Sequence, residues 1–156
     1  MKKKLLFVAA MAALLMGVVS CGTKSTPLEK VVNEVNAILP EDDNEFIITS
    51  MEYETNHVTV TYDANKDEAE FVDAFIDGIN NGEGEEWEEA RLEFIPEMLA
   101  YHFDYDVLLQ MVKSGAGLTA VYRNEESGKT ARLEVTSEEL KSATEIVKQI
   151  REEDFE

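Results

Sequence analysis

The sequence contains little cysteine, proline, histidine or tryptophan, and few positive charges. It has one Cys, three Pro, two His and one Trp in 156 residues. A single Cys excludes an internal disulfide framework and any metal site built from clustered cysteines. The chain carries 14 Lys and Arg against 33 Asp and Glu. It therefore has no electrostatic reason to bind nucleic acid, where affinity depends on basic side chains that neutralise phosphates.

The first twenty residues differ in composition from the rest of the chain. Three lysines, Lys2 to Lys4, precede an apolar stretch from Leu5 to Val19 that is interrupted by Gly17. This pattern is typical of a secretory signal peptide, and the stretch is too short for a comfortable membrane span. Residues 1–20 are therefore predicted to be removed. The remaining 136 residues carry 11 basic and 33 acidic side chains, a net charge of −22.

The end of this leader carries a more specific pattern. Val18, Val19, Ser20 and Cys21 resemble the lipobox of bacterial lipoproteins, with small Bacteroidetes-type lipoproteins as the suggested kind. The resemblance covers the leader alone, and the alternative is an ordinary signal peptide followed by a free Cys. It implies that Cys21 becomes the lipidated first residue of the mature chain. Two or more acyl chains on this residue would anchor the protein stably. Since Gly22 replaces the Asp that favours inner-membrane retention, we expect an outer-membrane lipoprotein facing the periplasm.

The mature chain reads as a tether over residues 21–26 and a single domain over residues 27–156. Thr26, Asn65 and Thr136 each precede an apolar run at helical period and have Glu three positions later. This capping pattern predicts three helices, each with one apolar face. Two further helices are expected between residues 83 and 113, where Pro96 should kink or divide the first of them. Gly115 is expected to end the second.

Two β-hairpins are predicted, over residues 46–62 and 118–135, because apolar and polar residues alternate there around turns of loop-forming residues. The expected fold is α+β, a four-stranded antiparallel sheet with helices packed on one face. The order of elements suggests a degenerate α-β-β-α duplication, with half-repeats at 27–82 and 83–156. The other face of the sheet, if uncovered, is the candidate binding surface.

One segment has part of a calcium-binding pattern. Asp63, Asn65 and Asp67 occupy the first three ligand positions of an EF-hand loop, but Glu68 replaces the required Gly and Ala74 replaces the required Glu. Helix capping is the favoured interpretation, and a weak divalent-cation-binding module is the alternative. Three acidic runs are interpreted as solvated surface, at residues 41–43, 83–89 and 152–156.

A second segment could carry chemistry. Residues 101–106 bring together one of the two His residues, two carboxylates and three aromatic rings. His102 with Asp104 or Asp106 could serve a small hydrolase or isomerase as a general base. The favoured interpretation is a break between helices, in which the aromatic rings anchor the core and an Asp caps the next helix.

Nothing in the sequence assembles a catalytic triad, a zinc site or a cofactor-binding loop, so no cofactor is expected. The aromatic stripe of Trp87 and Phe94 is interpreted as core. The sequence therefore predicts a cell-envelope protein held to the membrane by the lipid on Cys21. Its expected role is binding or assembly with an envelope protein or a small ligand, and an enzyme is the less favoured alternative.

Overall fold

A computed structural model describes residues 26–42 and 46–153, so the predicted signal peptide and Cys21 lie outside the described residues. The α+β class predicted from the sequence is confirmed. Among the described helices, none has the length and apolar character needed to cross a membrane. In chain order the elements are α1 (Pro27–Asn36), β1 (Glu41–Asp42), β2 (Phe46–Glu54), β3 (His57–Ala64), a 3-10 turn (Lys66–Glu68), α2 (Ala69–Asn81), α3 (Gly84–His102), α4 (Tyr105–Lys113), β4 (Gly117–Asn124), β5 (Lys129–Val135) and α5 (Ser137–Glu153).

Two of the three predicted helix caps are confirmed. The Glu29 amide donates to the Thr26 hydroxyl at 3.1 Å, and the Thr26 amide donates to the Glu29 carboxylate at 3.3 Å. Thr136 and Glu139 form the same reciprocal pair, at 3.2 and 2.7 Å. The third predicted helix start differs from these two. Asn65 precedes the 3-10 turn, and its side chain makes no capping hydrogen bond.

Pro96 was predicted to kink or divide the first helix of the middle region, and the division is wrong. Helix α3 runs through Pro96, which is buried together with Ile95, Met98 and Leu99. Proline is unfavourable in a helix interior, because it lacks the backbone N–H that would donate one helical hydrogen bond. Burial of the neighbouring apolar side chains offsets this cost, since most helical stability in proteins comes from tertiary packing. The predicted stop after α4 is confirmed at Gly115, which has φ of 65°.

The sheet has the strand order β1-β2-β3-β4-β5, and its central pair differs from the expected antiparallel arrangement. β3 and β4 are parallel, with His57 beside Gly117, whereas the other neighbouring strands are antiparallel. A parallel pair needs a connection of a dozen residues or more. The segment holding α2, α3 and α4 is long enough to return the chain to the end of the sheet where β3 began.

The helices cover one face of the sheet, as predicted. Along β3, Val58, Val60 and Tyr62 are buried, while Thr59 and Thr61 face the other side and are partly exposed. Strand β5 alternates in the same way. The buried side chains of the strands and helices form one core cluster, which leaves the second face of the sheet uncovered by helices.

Side chains cover parts of both edges of the sheet. On β2, the Asn36 side chain accepts from the Met51 amide at 2.8 Å and donates to the Met51 carbonyl. On β5, Asn80 and Arg91 each donate to a backbone carbonyl at 2.9 Å. Because open backbone groups on an edge strand can pair with another chain, these contacts make both edges less available for strand addition.

Candidate functional site

An apolar groove of about 280 Å³ lies between α2, α3 and the helix-covered face of the sheet. We call it the aromatic groove, because six of its nine lining residues are Phe or Tyr. Recognition sites in proteins are commonly concave and mainly apolar, with a few polar groups that orient the bound molecule. The lining residues are Phe46, Phe71, Phe75, Phe94, Glu97, Met98, Tyr101, His102 and Tyr122.

The walls of the groove follow from the spacing of residues on two helices. Phe71 and Phe75 are four positions apart on α2, while Phe94, Met98 and Tyr101 are four and three positions apart on α3. Residues at these spacings share one helix face. Phe71 is 55% exposed and Tyr101 is 61% exposed. Large apolar side chains exposed around one concave surface indicate a contact site for another molecule.

The floor of the groove is a packed group of rings. The Tyr122 ring stacks on Tyr62 with centroids 5.0 Å apart and planes 17° apart. Phe75 meets the Tyr122 ring edge-on at 4.9 Å, and the Phe46 centroid lies 5.2 Å from it. Each such pair contributes about 0.5–1.5 kcal/mol beyond the burial of its area. The floor is therefore a preformed surface.

The Tyr122 hydroxyl is the unusual polar group of this floor. Tyr122 is 1% exposed, and its hydroxyl has no hydrogen-bond partner among the described residues. Burial raises the pKa of Tyr122 above its usual range, so the phenol stays protonated. A buried polar group without a partner costs about 1–3 kcal/mol. This cost falls on the fold of the free protein, because the enclosed hydroxyl is out of reach of a molecule in the groove.

The candidate catalytic residues lie in different surroundings. His102 lines the aromatic groove, with its ring 5.0 Å from the Tyr62 ring. Asp104 occupies the N-cap position of α4 without a side-chain capping bond, and Asp106 is exposed in the first turn of that helix. Desolvation raises the pKa of Asp104, while the charge of Arg151 opposes the shift. Of the three candidates, His102 alone lines the groove.

The candidate cation ligands are not gathered into a site. Asp63 accepts two hydrogen bonds from the Arg123 guanidinium, at 2.6 and 2.8 Å. Asn65 precedes the 3-10 turn, and Asp67 is exposed within it. Within residues 26–42 and 46–153, no group of three His, Cys, Asp or Glu residues could hold a metal ion. In the described part of the chain, the cation-binding alternative therefore gains no support.

The uncovered face of the sheet is polar. The Thr119 hydroxyl lies 2.6 Å from both His57 Nε2 and the Glu134 carboxylate. Arg132 lies 3.5 Å from the same carboxylate. These groups already interact with one another, so an apolar partner would have to displace their contacts. The aromatic groove, which exposes rings, is the better candidate contact surface.

Comparison with known proteins yields structural similarity without sequence similarity. No protein-family model and no curated protein sequence matches the chain. A Pseudomonas aeruginosa crystal structure, described as a candidate secreted protein, is similar with a TM-score of 0.50 and 15% identity, covering 72% of this chain and 88% of that one. A pilotin of the Vibrio vulnificus type 2 secretion system has a TM-score of 0.44 and 14% identity, covering 72% and 87%. At these identities, the first similarity shows a shared fold alone, and the second carries no functional argument.

The groove was not predicted from the sequence, because its aromatic residues were interpreted as core. Phe103 is buried as expected, but Tyr101 lies at the mouth of the groove and Phe94 is half-buried along its wall. The available signal was the presence of aromatic residues on the apolar faces of two consecutive helices. Periodicity identifies such a face, but it cannot say whether a neighbouring element covers all of it.

Proposed function

We propose that this protein is a lipid-anchored cell-envelope protein that binds a partner protein through the aromatic groove. The observation that carries the binding role is the exposure of Phe71 and Tyr101 at the mouth of the apolar groove. Exposed aromatic side chains around a pocket are the usual anchoring points of protein interfaces. The sequence predicted the uncovered sheet face as the binding surface. We rank it second to the groove, because its polar groups already interact with one another.

The proposed location depends on the leader. A basic start, an apolar stretch and the lipobox-like end at Cys21 support export and lipid attachment. Gly22 supports delivery to the outer membrane, with the domain facing the periplasm. The similar fold of a Pseudomonas protein described as secreted agrees with a position outside the cytoplasm. The net charge of −22 on the mature chain would keep the domain hydrated and away from anionic lipid.

Lipid attachment is tested by metabolic labelling with an alkyne fatty acid. We expect wild-type protein to carry the label and to fractionate with membranes, whereas Cys21→Ser loses both properties. The matched control is Ser25→Ala, which changes a small polar residue of the tether and should keep the label. Label retained on Cys21→Ser, or absent from the wild type, would contradict the proposed anchor.

Binding through the groove is tested by replacing Tyr101 with a photo-reactive phenylalanine analogue in the native envelope. The control is the same replacement at Leu92, which is 46% exposed on the same helix and does not line the groove. We expect a discrete protein adduct from position 101 that Phe71→Ala suppresses. Equal adducts from both positions, or none from position 101, would count against the groove as the contact surface.

A further inference from the structure

The two helices that form the groove walls are strongly acidic. Helices α2 and α3 contain nine Asp and Glu residues and one basic residue, Arg91. Arg91 is committed elsewhere, since it donates to the carboxylates of Glu88 and Glu139 and to a carbonyl of β5. Two of the nine acids pair with Lys129 of β5. The other wall carboxylates leave a net negative potential around the groove.

One of these carboxylates belongs to the groove itself. Glu97 is the acidic residue among the nine that line it, and it is exposed. No basic side chain in the described ranges lies within ion-pair distance of Glu97. A positive charge on a bound molecule could therefore pair with Glu97 without displacing an existing partner. The same charge would be attracted by the surrounding acids at low salt.

The size and shape of the groove favour a protein segment over an enclosed small molecule. Its volume of about 280 Å³ lies just below the roughly 300–1,000 Å³ of pockets that enclose drug-sized ligands. Phe71 and Tyr101 remain more than half exposed at its mouth. A molecule confined to the groove would leave these rings in water, whereas a partner surface surrounding an inserted side chain would cover them.

Building on the proposed function, we infer that the aromatic groove recognises a basic and apolar segment of a partner protein. A large apolar side chain of that segment fills the groove above Tyr122. Lysines or arginines beside it face Glu97 and the acidic walls. This arrangement matches the apolar lining of the groove and its exposed acidic residue together.

The test is selection of a random-peptide phage library on the full mature protein in lipid nanodiscs, with counter-selection on Tyr101→Ala. We expect peptides in which an aromatic or large aliphatic residue lies next to at least two Lys or Arg. Binding of the best peptide should weaken about tenfold with Glu97→Lys, through like-charge repulsion. The control Glu52→Lys makes the same charge change at an exposed site on the uncovered sheet face, and should change affinity less than twofold.

Two further measurements separate the parts of the inference. Raising the salt concentration from about 0.05 to 0.5 M should weaken peptide binding severalfold, because salt screens the exposed charges. Tyr122→Phe should change the affinity less than twofold, because the enclosed hydroxyl is out of reach of the peptide. Melting curves of each variant show whether it is folded.

Each outcome bears on a different claim. Neutral or acidic peptides whose binding depends on Tyr101 would overturn the inferred preference for basic segments. They would still support the groove as the contact surface. The same conclusion follows if Glu97→Lys and Glu52→Lys behave alike. Absence of any peptide that depends on Tyr101 would overturn both the inference and the proposed function.

Discussion

Removing the buried hydroxyl of Tyr122 should stabilise the free protein. In Tyr122→Phe the ring keeps its contacts with Tyr62, Phe75 and Phe46, while an oxygen without a partner among the described residues disappears. The desolvation penalty of such a group is about 1–3 kcal/mol. We expect the free energy of unfolding to rise by about 1–2 kcal/mol, because some relaxation around the hydroxyl already reduces its cost.

The expected gain in the stability of Tyr122→Phe is large enough for standard unfolding assays to measure. For a domain of about 130 residues, the unfolding entropy is about 0.27 kcal/mol per kelvin, so the melting temperature should rise by about 4–7 °C. Urea unfolding followed by circular dichroism should show a higher midpoint with an unchanged slope, because the two proteins expose similar surface.

Tyr53→Phe is the matched control. The Tyr53 hydroxyl donates to the Asn56 side chain at 3.0 Å on the surface, so its removal should destabilise the protein by about 0.5–1.5 kcal/mol or have no measurable effect. A loss of more than about 1 kcal/mol in Tyr122→Phe would refute the reasoning. It would mean that the Tyr122 hydroxyl makes a favourable hydrogen bond in the free protein.

Three other substitutions test what holds the helices and the β4–β5 turn together. Arg91→Lys should lower the free energy of unfolding by about 1–2 kcal/mol in urea, because an ammonium cannot reproduce the guanidinium contacts to Glu139 and β5. Thr136→Ala removes a confirmed cap and should lower the unfolding free energy by about 1 kcal/mol, an effect that Thr136→Ser should largely avoid. The hydrogen bond from Ser127 is the main cause that lowers the pKa of Asp73 below its ordinary value of 3.8. Because a lowered folded-state pKa gives stability that is present above the unfolded pKa and lost as pH falls through the folded pKa, unfolding at pH 2–7 should show a shallower acid decline in Asp73→Asn.

Much of the fold could be predicted because its signals are local. The reciprocal caps at Thr26 and Thr136 need residues three positions apart, and both formed. The alternation of Val58, Val60 and Tyr62 predicted which face of β3 is buried. The predicted stop at Gly115 also formed, with the positive φ that glycine tolerates. Each of these features depends on backbone geometry over a few residues.

The sequence could not predict the parallel pairing of β3 with β4. Strand direction depends on where three intervening helices return the chain, and no local pattern encodes that path. Pro96 is a similar case, because its local preference against a helix interior was outweighed by burial of its neighbours. In both cases tertiary packing decided between local alternatives.

The sequence by itself determined the strong negative charge and predicted the α+β class, whereas export and lipidation of Cys21 remain predictions. These properties follow from composition and short-range periodicity. The tertiary structure alone decided that Phe71 and Tyr101 stand at the mouth of a groove and that the Tyr122 hydroxyl is buried at its floor. The physical reason is that the exposure of an apolar residue depends on whether a distant segment covers it. Helical spacing shows which residues share a face, whereas the packing of α2 and α3 on the sheet determines which of them remain open.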